Sequence, residues 1–351
     1  MPFRYKSEPR QSWVKDAVRL RGEGTKWADL PEAVYTLHPD AGVLTMERVR
    51  GAVRSSVEYK QRVSASVVFE DKREPTDVDI EAYFDALKAL NSAQMQLETK
   101  QTKATITIKE TKPFGVAFWG DWHTGAKGVD YERLDADADI IADTDGLYVA
   151  GMGDYKDNAS ALVHQSSTQE SVATTDMQSL VVQHIWRKEA GKTLVIVRGC
   201  HDDWDKRNAN VDFVQSLCDE TGAINLWHGG VVTIKAGNQE YKIAARHKYK
   251  YESSLNTTNA QRNFMNDFGA CDVFMLAHKH FFDLQQTRRM GKDVVYGRSG
   301  SYKVYDEFGQ KLAGYEAIYG VPVLIFFPDR HEIIPIRSLD VAVDMLARLR
   351  A

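Results

Sequence analysis

Four short apolar runs in this chain each end in residues that ligate metals, and this repeated pattern of strand followed by ligands constrains the fold more than any other feature. Phe114 to Trp119 runs into Gly120-Asp121-Trp122-His123, and Leu147 to Met152 runs into Gly153-Asp154. Thr193 to Val197 runs into Gly199-Cys200-His201-Asp202, and Asp272 to Leu276 runs into Ala277-His278-Lys279-His280. A weaker fifth run, Tyr241 to Ala245, leads into Arg246-His247. Short apolar runs bounded by glycine read as buried strands, and open α/β sheets hold ligands just beyond the carboxyl ends of such strands. The expectation is one shared site assembled from distant segments. A single Asp after Gly reads as a turn residue. Two carboxylates that each follow a buried strand are costly to bury bare, so a bound cation is the cheaper explanation.

The order of these clusters, from Pro113 to Arg337, resembles the calcineurin-like metallophosphoesterase superfamily, whose third and last motifs usually read Gly-Asn-His-Asp or Gly-Asn-His-Glu and Gly-His-x-His. The resemblance implies an α/β fold, a four-layer α-β-β-α sandwich, and metal-dependent hydrolysis of phosphoesters. Carried over position by position, it makes Asp121, His123 and His280 ligands of a first metal, Asp154 the bridge, and His247 with His278 ligands of a second. His201 matches the histidine that contacts the phosphoryl group and protonates the leaving oxygen, a role suited to an ordinary imidazole pKa of about 6.5. Asp157 matches the carboxylate that orients this histidine in some members. Cys200 stands where the family carries a ligating Asn, and Ala277 where it carries Gly.

The chemistry explains the residue types. A phosphoester resists hydrolysis because its anionic oxygens repel a nucleophile and its alkoxide leaves poorly. Two metals about 3.5 to 4 Å apart acidify a water and clamp the phosphoryl oxygens. Asp and His together suit two divalent ions, Mn foremost, with Fe, Zn or Co as alternatives. At Cys200 two readings stay open: a thiolate biases the second position toward Zn or Fe, whereas a neutral thiol leaves that ion one ligand short. Asn158 and Asp202 are nearby candidates to compensate. Asn158, Arg298 and Lys303 are expected to contact substrate, the last two from the Gly-Ser-Gly-Ser-Tyr-Lys loop, whose plainer reading is an ordinary surface loop. Trp122 and Trp204 are read as core or rim packing, with stacking on a base or sugar as the alternative. His38, His164, His184, His228 and His331 lie outside the clusters and are read as structural or solvated.

At 351 residues the chain suggests one large catalytic domain plus a small extra one. No stretch approaches a membrane span, and the first residues lack the apolar core of a signal peptide, so a cytoplasmic protein with no membrane partner is expected. Three cysteines without Cys-x-x-Cys spacing fit reduced thiols. Residues 1–62 hold 12 Lys+Arg against 8 Asp+Glu (net +4), leaving 33 against 41 (net −8) in the remainder. A mildly basic head on an acidic body permits contact with phosphates.

That head, residues 1–62, reads as three helices: Ser12 capping a helix to Leu20, Thr25 capping Lys26 to Tyr35 with Pro31 limiting or bending it, and Thr45 capping Met46 to about Lys60. The third presents Arg48, Arg50 and Arg54, with Met46, Val49, Ala52 and Val53 toward the core. This looks like a helix-turn-helix module, which makes DNA the expected partner. The competing reading is a helical cap that packs on the enzyme or on a second subunit. Residues 63–103 read as a connecting segment: a β-rich stretch, Val63 to Glu70, then a helix from the Glu74-Pro75-Thr76-Asp77 signal to Leu97 with Ile80, Phe84, Leu87 and Leu90 on one stripe. Residues 104–351 are the catalytic domain. The functional expectation is a phosphodiesterase, a DNA nuclease in the manner of repair exonucleases or phage-encoded members, with homodimerisation common among such enzymes. The alternatives are a phosphomonoesterase or small-nucleotide phosphodiesterase with an assembly head, and a DNA-binding regulator with a vestigial metal site.

Overall fold

The computed structural model describes residues 13–56, 59, 80–97, 101–159, 170–253, 255–289, 291–305 and 318–351. Its chain divides into two compact units, Met1–Ala93 and Gln94–Ala351. Ser12, Lys60, Gln61, the Val63 to Glu70 stretch, the Glu74-Pro75-Thr76-Asp77 signal and His164 lie outside the described residues.

In the first unit, α1 (Trp13–Gly22), α2 (Leu30–Leu37) and α3 (Met46–Ser55) enclose a small core of Trp13, Ala17, Val18, Leu30, Val34, Val49 and Val53. Thr45 caps α3 by accepting from Arg48 N at 3.2 Å. The second helix starts at Leu30, not at Lys26, because Pro31 fits the first turn, where its missing N–H costs nothing. Met46 is exposed rather than core-facing, since the α3 stripe that turns inward is Val49 and Val53. Arg21, Arg50 and Arg54 gather over the Trp27 ring at 4.9, 5.7 and 5.6 Å, and Arg48 Nη1 donates to Val43 O at 2.8 Å. Farther along, α4 (Ile80–Leu97) leaves Ile80, Phe84, Leu87 and Leu90 exposed.

The second unit holds two six-stranded sheets. One runs in the order β12 (Ile333–Ile336), β11 (Val323–Phe326), β2 (Phe114–Trp119), β3 (Leu147–Gly151), β4 (Thr193–Ile196), β5 (Ile224–Asn225), with β2 to β5 parallel. The other runs β1 (Lys103–Ile108), β6 (Gly229–Ala236), β7 (Gln239–Arg246), β8 (Val273–Leu276), β10 (Lys292–Arg298), β9 (Asp283–Arg289). The β6-β7 hairpin pairs Ala236 with Gln239 around Gly237-Asn238, as the glycine there suggests. Facing side chains such as Phe118, Val195, Ile243 and Met275 form one buried layer that both sheets share. Helices α5 (Tyr131–Asp143), α6 (Thr175–Lys188), α8 (Phe213–Thr221) and α10 (Leu339–Arg350) cover the other face of the first sheet. α9 (Asn259–Phe268) covers the second through Ala260 and Phe264. A short α7 (Asp203–Ala209) precedes α8. The result is the four-layer α-β-β-α sandwich. β2 is buried at all six positions, which is why it reads as a continuous apolar run rather than an alternating one.

Glu189, at the end of α6, is buried with neither carboxylate oxygen hydrogen-bonded. Burial pushes its pKa up to about 8, against the opposing pull of Lys192 and Lys188. The unfolded chain releases this proton near the ordinary glutamate value of 4.5 while the folded chain keeps it, so stability falls as pH rises from there through about 8. Glu189→Gln, neutral throughout, should match the parent at about pH 5 and melt roughly 3 °C or more higher at about pH 8.5, read by thermal unfolding at both values.

Candidate metal centre

The parallel strands β2, β3 and β4 end side by side, and their pairing continues into the loops that carry the ligand-type residues. Asp121 N donates to Gly153 O at 2.8 Å, His123 N to Asp154 O at 3.1 Å, and Val197 N to Gly151 O at 2.9 Å. From the other sheet, Ala277 N donates to His247 O at 3.0 Å, which sets the β7 and β8 ends beside each other. At these ends the backbone turns sharply. Asp121, His123, Asp154, Asn158, His278 and His280 all have left-handed φ between 48° and 74°. For residues with a Cβ, each such position costs roughly 1–3 kcal/mol and persists only where the surroundings enforce it. Two glycines allow the close approach: Gly153 has φ +95°, and a Cβ on Gly199 would sit 2.1 Å from Asp154 N.

Seven of the residues singled out in the sequence converge here. His123 Nε2 and His280 Nε2 lie 2.8 Å apart, with Asp121 Oδ1 at 3.9 Å from the former and 3.7 Å from the latter. Asp154 Oδ2 is 3.9 Å from His123 Nε2 and 3.0 Å from His247 Nε2. Cys200 Sγ is 3.8 Å from His278 Nδ1. The donor atoms fall into overlapping sets, Asp121-His123-His280, Asp121-Asp154-His247 and Cys200-His247-His278, each within 4.8 Å internally. A fourth such set joins His201 to His123 and Asp154.

Divalent cations fit this arrangement. Asp121 Oδ1 is buried without a hydrogen-bond partner. His247 Nε2 is likewise unbonded despite its 3.0 Å approach to Asp154 Oδ2, the geometry of two groups aimed at a common third point. His247 Nδ1 donates to Met152 O at 2.8 Å, which turns Nε2 toward the cluster. Burial pushes the pKa of His123 down, that of His278 to about 3 and that of His280 well below the usual range, so these imidazoles stay neutral and able to ligate. The carboxylates differ. Burial and the Asp154 charge raise Asp121 to about 8, with His247 opposing, while Asp154 is held well below its ordinary value because His247, His201 and His123 outweigh its burial. Burial disfavours the charged form of His247, yet Asp154 beside it raises its pKa well above the usual range.

Several neighbours take roles other than those expected. The Asp157 carboxylate faces His123 Nδ1 at 3.3 Å and Lys303 Nζ at 3.4 Å, not His201; it is the main-chain oxygen of Asp157 that holds His201 Nδ1, at 2.5 Å. Burial would raise Asp157, but His123 and Lys303 bring it down to about 2. Asn158 spends its amide nitrogen on His201 O and Asp205 Oδ1, both at 3.0 Å, which anchors the loop. Arg298 is fully buried: Nη1 donates to Ala277 O at 2.6 Å and Nη2 to Glu252 at 2.8 Å, so it braces the loop before His278 instead of facing substrate phosphate. Lys303 is nearly buried beside Asp157. Trp122 belongs to a core group with Trp119, Trp186 and Tyr155, whereas Trp204 lies against the His201 ring at 4.1 Å. His38, His228 and His331 pair with Asp16, Asp203 and Asp272.

Asp202 is the residue whose role sequence reasoning missed. Its carboxylate accepts from Asp154 N and Gly199 N at 2.8 Å and from Tyr155 N at 3.2 Å, tying the β3 and β4 loops together. Burial and Asp154 raise its pKa to about 6, against those N–H donors. Its position three residues after Gly199, in an Asp-rich helix start, was the available signal. Ser301 plays a similar part, its hydroxyl donating to Asp121 O at 2.9 Å.

No protein-family model and no curated protein sequence matches this chain. Among solved structures it is similar to Vps29 of Chaetomium thermophilum, at 13% identity and TM-score 0.34 over 64% of this chain and 98% of that one. It is similar to the calcineurin-like phosphoesterase YfkN of Bacillus subtilis, at 10% identity and TM-score 0.36 over 68% and 98%. A third similarity, to the sulfate thiohydrolase SoxB of Thermus thermophilus, has 10% identity and TM-score 0.36 over 69% of this chain and 61% of that one.

Asp202→Ala should leave three buried N–H groups unpaired, costing roughly 3 kcal/mol or more in urea-monitored unfolding and lowering divalent-metal affinity measured by calorimetry.

Proposed function

We propose that this chain is a metal-dependent phosphoesterase that cleaves phosphodiester bonds in nucleic acid, with DNA as its substrate. The observation that carries the reading is the meeting of Asp121, Asp154, His123 and His247, all buried, with the half-buried His278 and His280 in one cluster of overlapping donor sets, His201 at its edge. In this reading Asp121, His123 and His280 would hold one divalent cation and His247 with His278 another, with Asp154 available to either. Such ions supply Lewis acidity, neutralising charge on phosphoryl oxygens and lowering the pKa of a water nucleophile.

The chain's own part is positioning and proton transfer. The bond from His201 Nδ1 to Asp157 O leaves Nε2 to carry the exchangeable proton to the leaving oxygen. The Asp154 carboxylate accepts from His201 N at 2.8 Å, so the proton donor and the shared carboxylate are held by one contact. Lys303, through Asp157, steadies the His123 ring.

A nucleic-acid substrate is supported by the cleft that opens from the Cys200 and His247 side. It encloses ≈ 790 Å³, and five Lys and Arg line it against two Asp, with Arg207, Arg246, Lys248 and Lys250 among the basic residues. A basic wall next to the scissile position suits successive phosphates of a strand rather than a lone monoester. The helix-turn-helix reading of the head, with Arg48, Arg50 and Arg54 on α3, belongs to the same proposal. So does homodimerisation. Among the described residues no helix is long and apolar enough to cross a membrane.

His201→Ala should lower turnover by about 10²–10⁴-fold while leaving metal content unchanged, whereas Asp154→Ala should lose both, as followed by rate assays beside elemental analysis. Arg207→Glu with Lys248→Glu should raise KM for single- and double-stranded oligonucleotides by about tenfold or more at low salt, and leave hydrolysis of a small aryl phosphodiester unchanged. Preference for an aryl monoester over both diesters would favour the phosphomonoesterase alternative, and less than one bound ion per chain would favour the DNA-binding regulator.

A further inference from the structure

We infer that the two cation positions differ in kind, and that Cys200 makes the second a thiolate site selective for zinc-class ions. This rests on the metal-dependent reading above and deepens it. Around the first position the donors are carboxylate and imidazole only: Asp121, His123, His280 and the shared Asp154. Around the second they are Cys200, His247 and His278, again with Asp154 close to His247.

Three observations carry the assignment. Cys200 Sγ sits 3.8 Å from His278 Nδ1, within a group whose three donor atoms lie inside 4.8 Å of one another. His247, nine-tenths or more buried, turns an unbonded Nε2 into the same space, its other nitrogen being occupied by Met152 O. Neither nearby polar residue replaces the sulfur. Asp202 belongs to none of the donor sets, its two oxygens accepting from backbone N–H groups, and Asn158 is tied through its amide nitrogen to His201 O and Asp205. The other cysteines are elsewhere: Cys218 packs in the core around α8, and Cys271 is buried with the group that covers the outer face of β8.

A sulfur, two imidazoles and a carboxylate form a borderline-soft four-donor set, which suits Zn²⁺ and its spectroscopic surrogate Co²⁺ and disfavours the harder Mn²⁺. On coordination the Cys200 S–H bond breaks, its proton passes to solvent, and a sulfur lone pair is donated to the ion. No electron is transferred, so the site needs no oxidant or reductant. The first position, lacking sulfur, keeps its tolerance for Mn²⁺. The structure thus assigns a mixed pair of ions rather than two equivalent ones.

The test is titration of the full-length metal-free protein with Co²⁺, followed by absorption spectroscopy, for the parent and for Cys200→Ser and Cys200→Asn, with unfolding curves to verify that each variant folds. The parent should develop a near-ultraviolet sulfur-to-cobalt charge-transfer band that both variants lack, while the weaker visible bands from the remaining sites persist. In competition by elemental analysis, Cys200→Asn should shift the zinc-to-manganese ratio toward manganese by about tenfold or more. Cobalt binding without the charge-transfer band, or a band that survives in both variants, overturns the inference while leaving the metal-dependent reading intact. Absence of any cobalt, zinc or manganese binding overturns both.

Discussion

The burial of Asp154 among imidazoles is the interaction on which the rest of the second unit depends. Its Oδ2 lies 3.0 Å from His247 Nε2, a residue of the other sheet, and its Oδ1 accepts from His201 N at 2.8 Å. A carboxylate at 1% exposure is tolerable only with positive charge or donors around it. Here the donors come from several loops at once, so the charge that is expensive to bury also fixes where the two sheets meet.

The scaffold meets that demand with backbone rather than with bulk. Parallel pairing of β2, β3 and β4 continues past the strand ends, so that Asp121 and Asp154 leave the sheet side by side. Gly153 and Gly199 let those loops touch, and Asp202 ties them through three N–H groups. Left-handed backbone at six residues of the cluster concentrates strain where side chains must be aimed inward, and the shared apolar layer around Phe118 and Met275 is rigid enough to hold it. Arg298 and Ser301 act from below, each through a main-chain oxygen of a ligand loop.

The fold was largely legible because its signals are local. Buried runs such as Phe114 to Trp119 and the Thr45 cap each follow from short-range chemistry. Where reading failed, a local rule had two outcomes. Pro31 has the look of an obstacle inside a helix, yet a proline is equally at home in the first turn, and that is where it sits. Met46 has the spacing of a core residue, but at the first position of α3 it is exposed, and Val49 and Val53 form the buried stripe. Arg298 has the residue type of a substrate contact, yet it is fully buried and its guanidinium holds Ala277 O and Glu252, a distinction invisible without knowing which oxygen lies within 3 Å.

The amino-acid sequence by itself determined the strand ends, the ligand types attached to them and their order, because apolar periodicity and glycine placement act over a few residues. Only the tertiary structure decided which groups share an ion, which carboxylate faces which imidazole, and that Asp157 reaches His201 through its backbone and His123 through its side chain. Those choices depend on contacts between residues 34 to 157 positions apart, set by sheet register and by loops that only the packed core holds in place. Nothing local to Cys200 reveals that its sulfur meets His278; the crossing of two sheets brings them together.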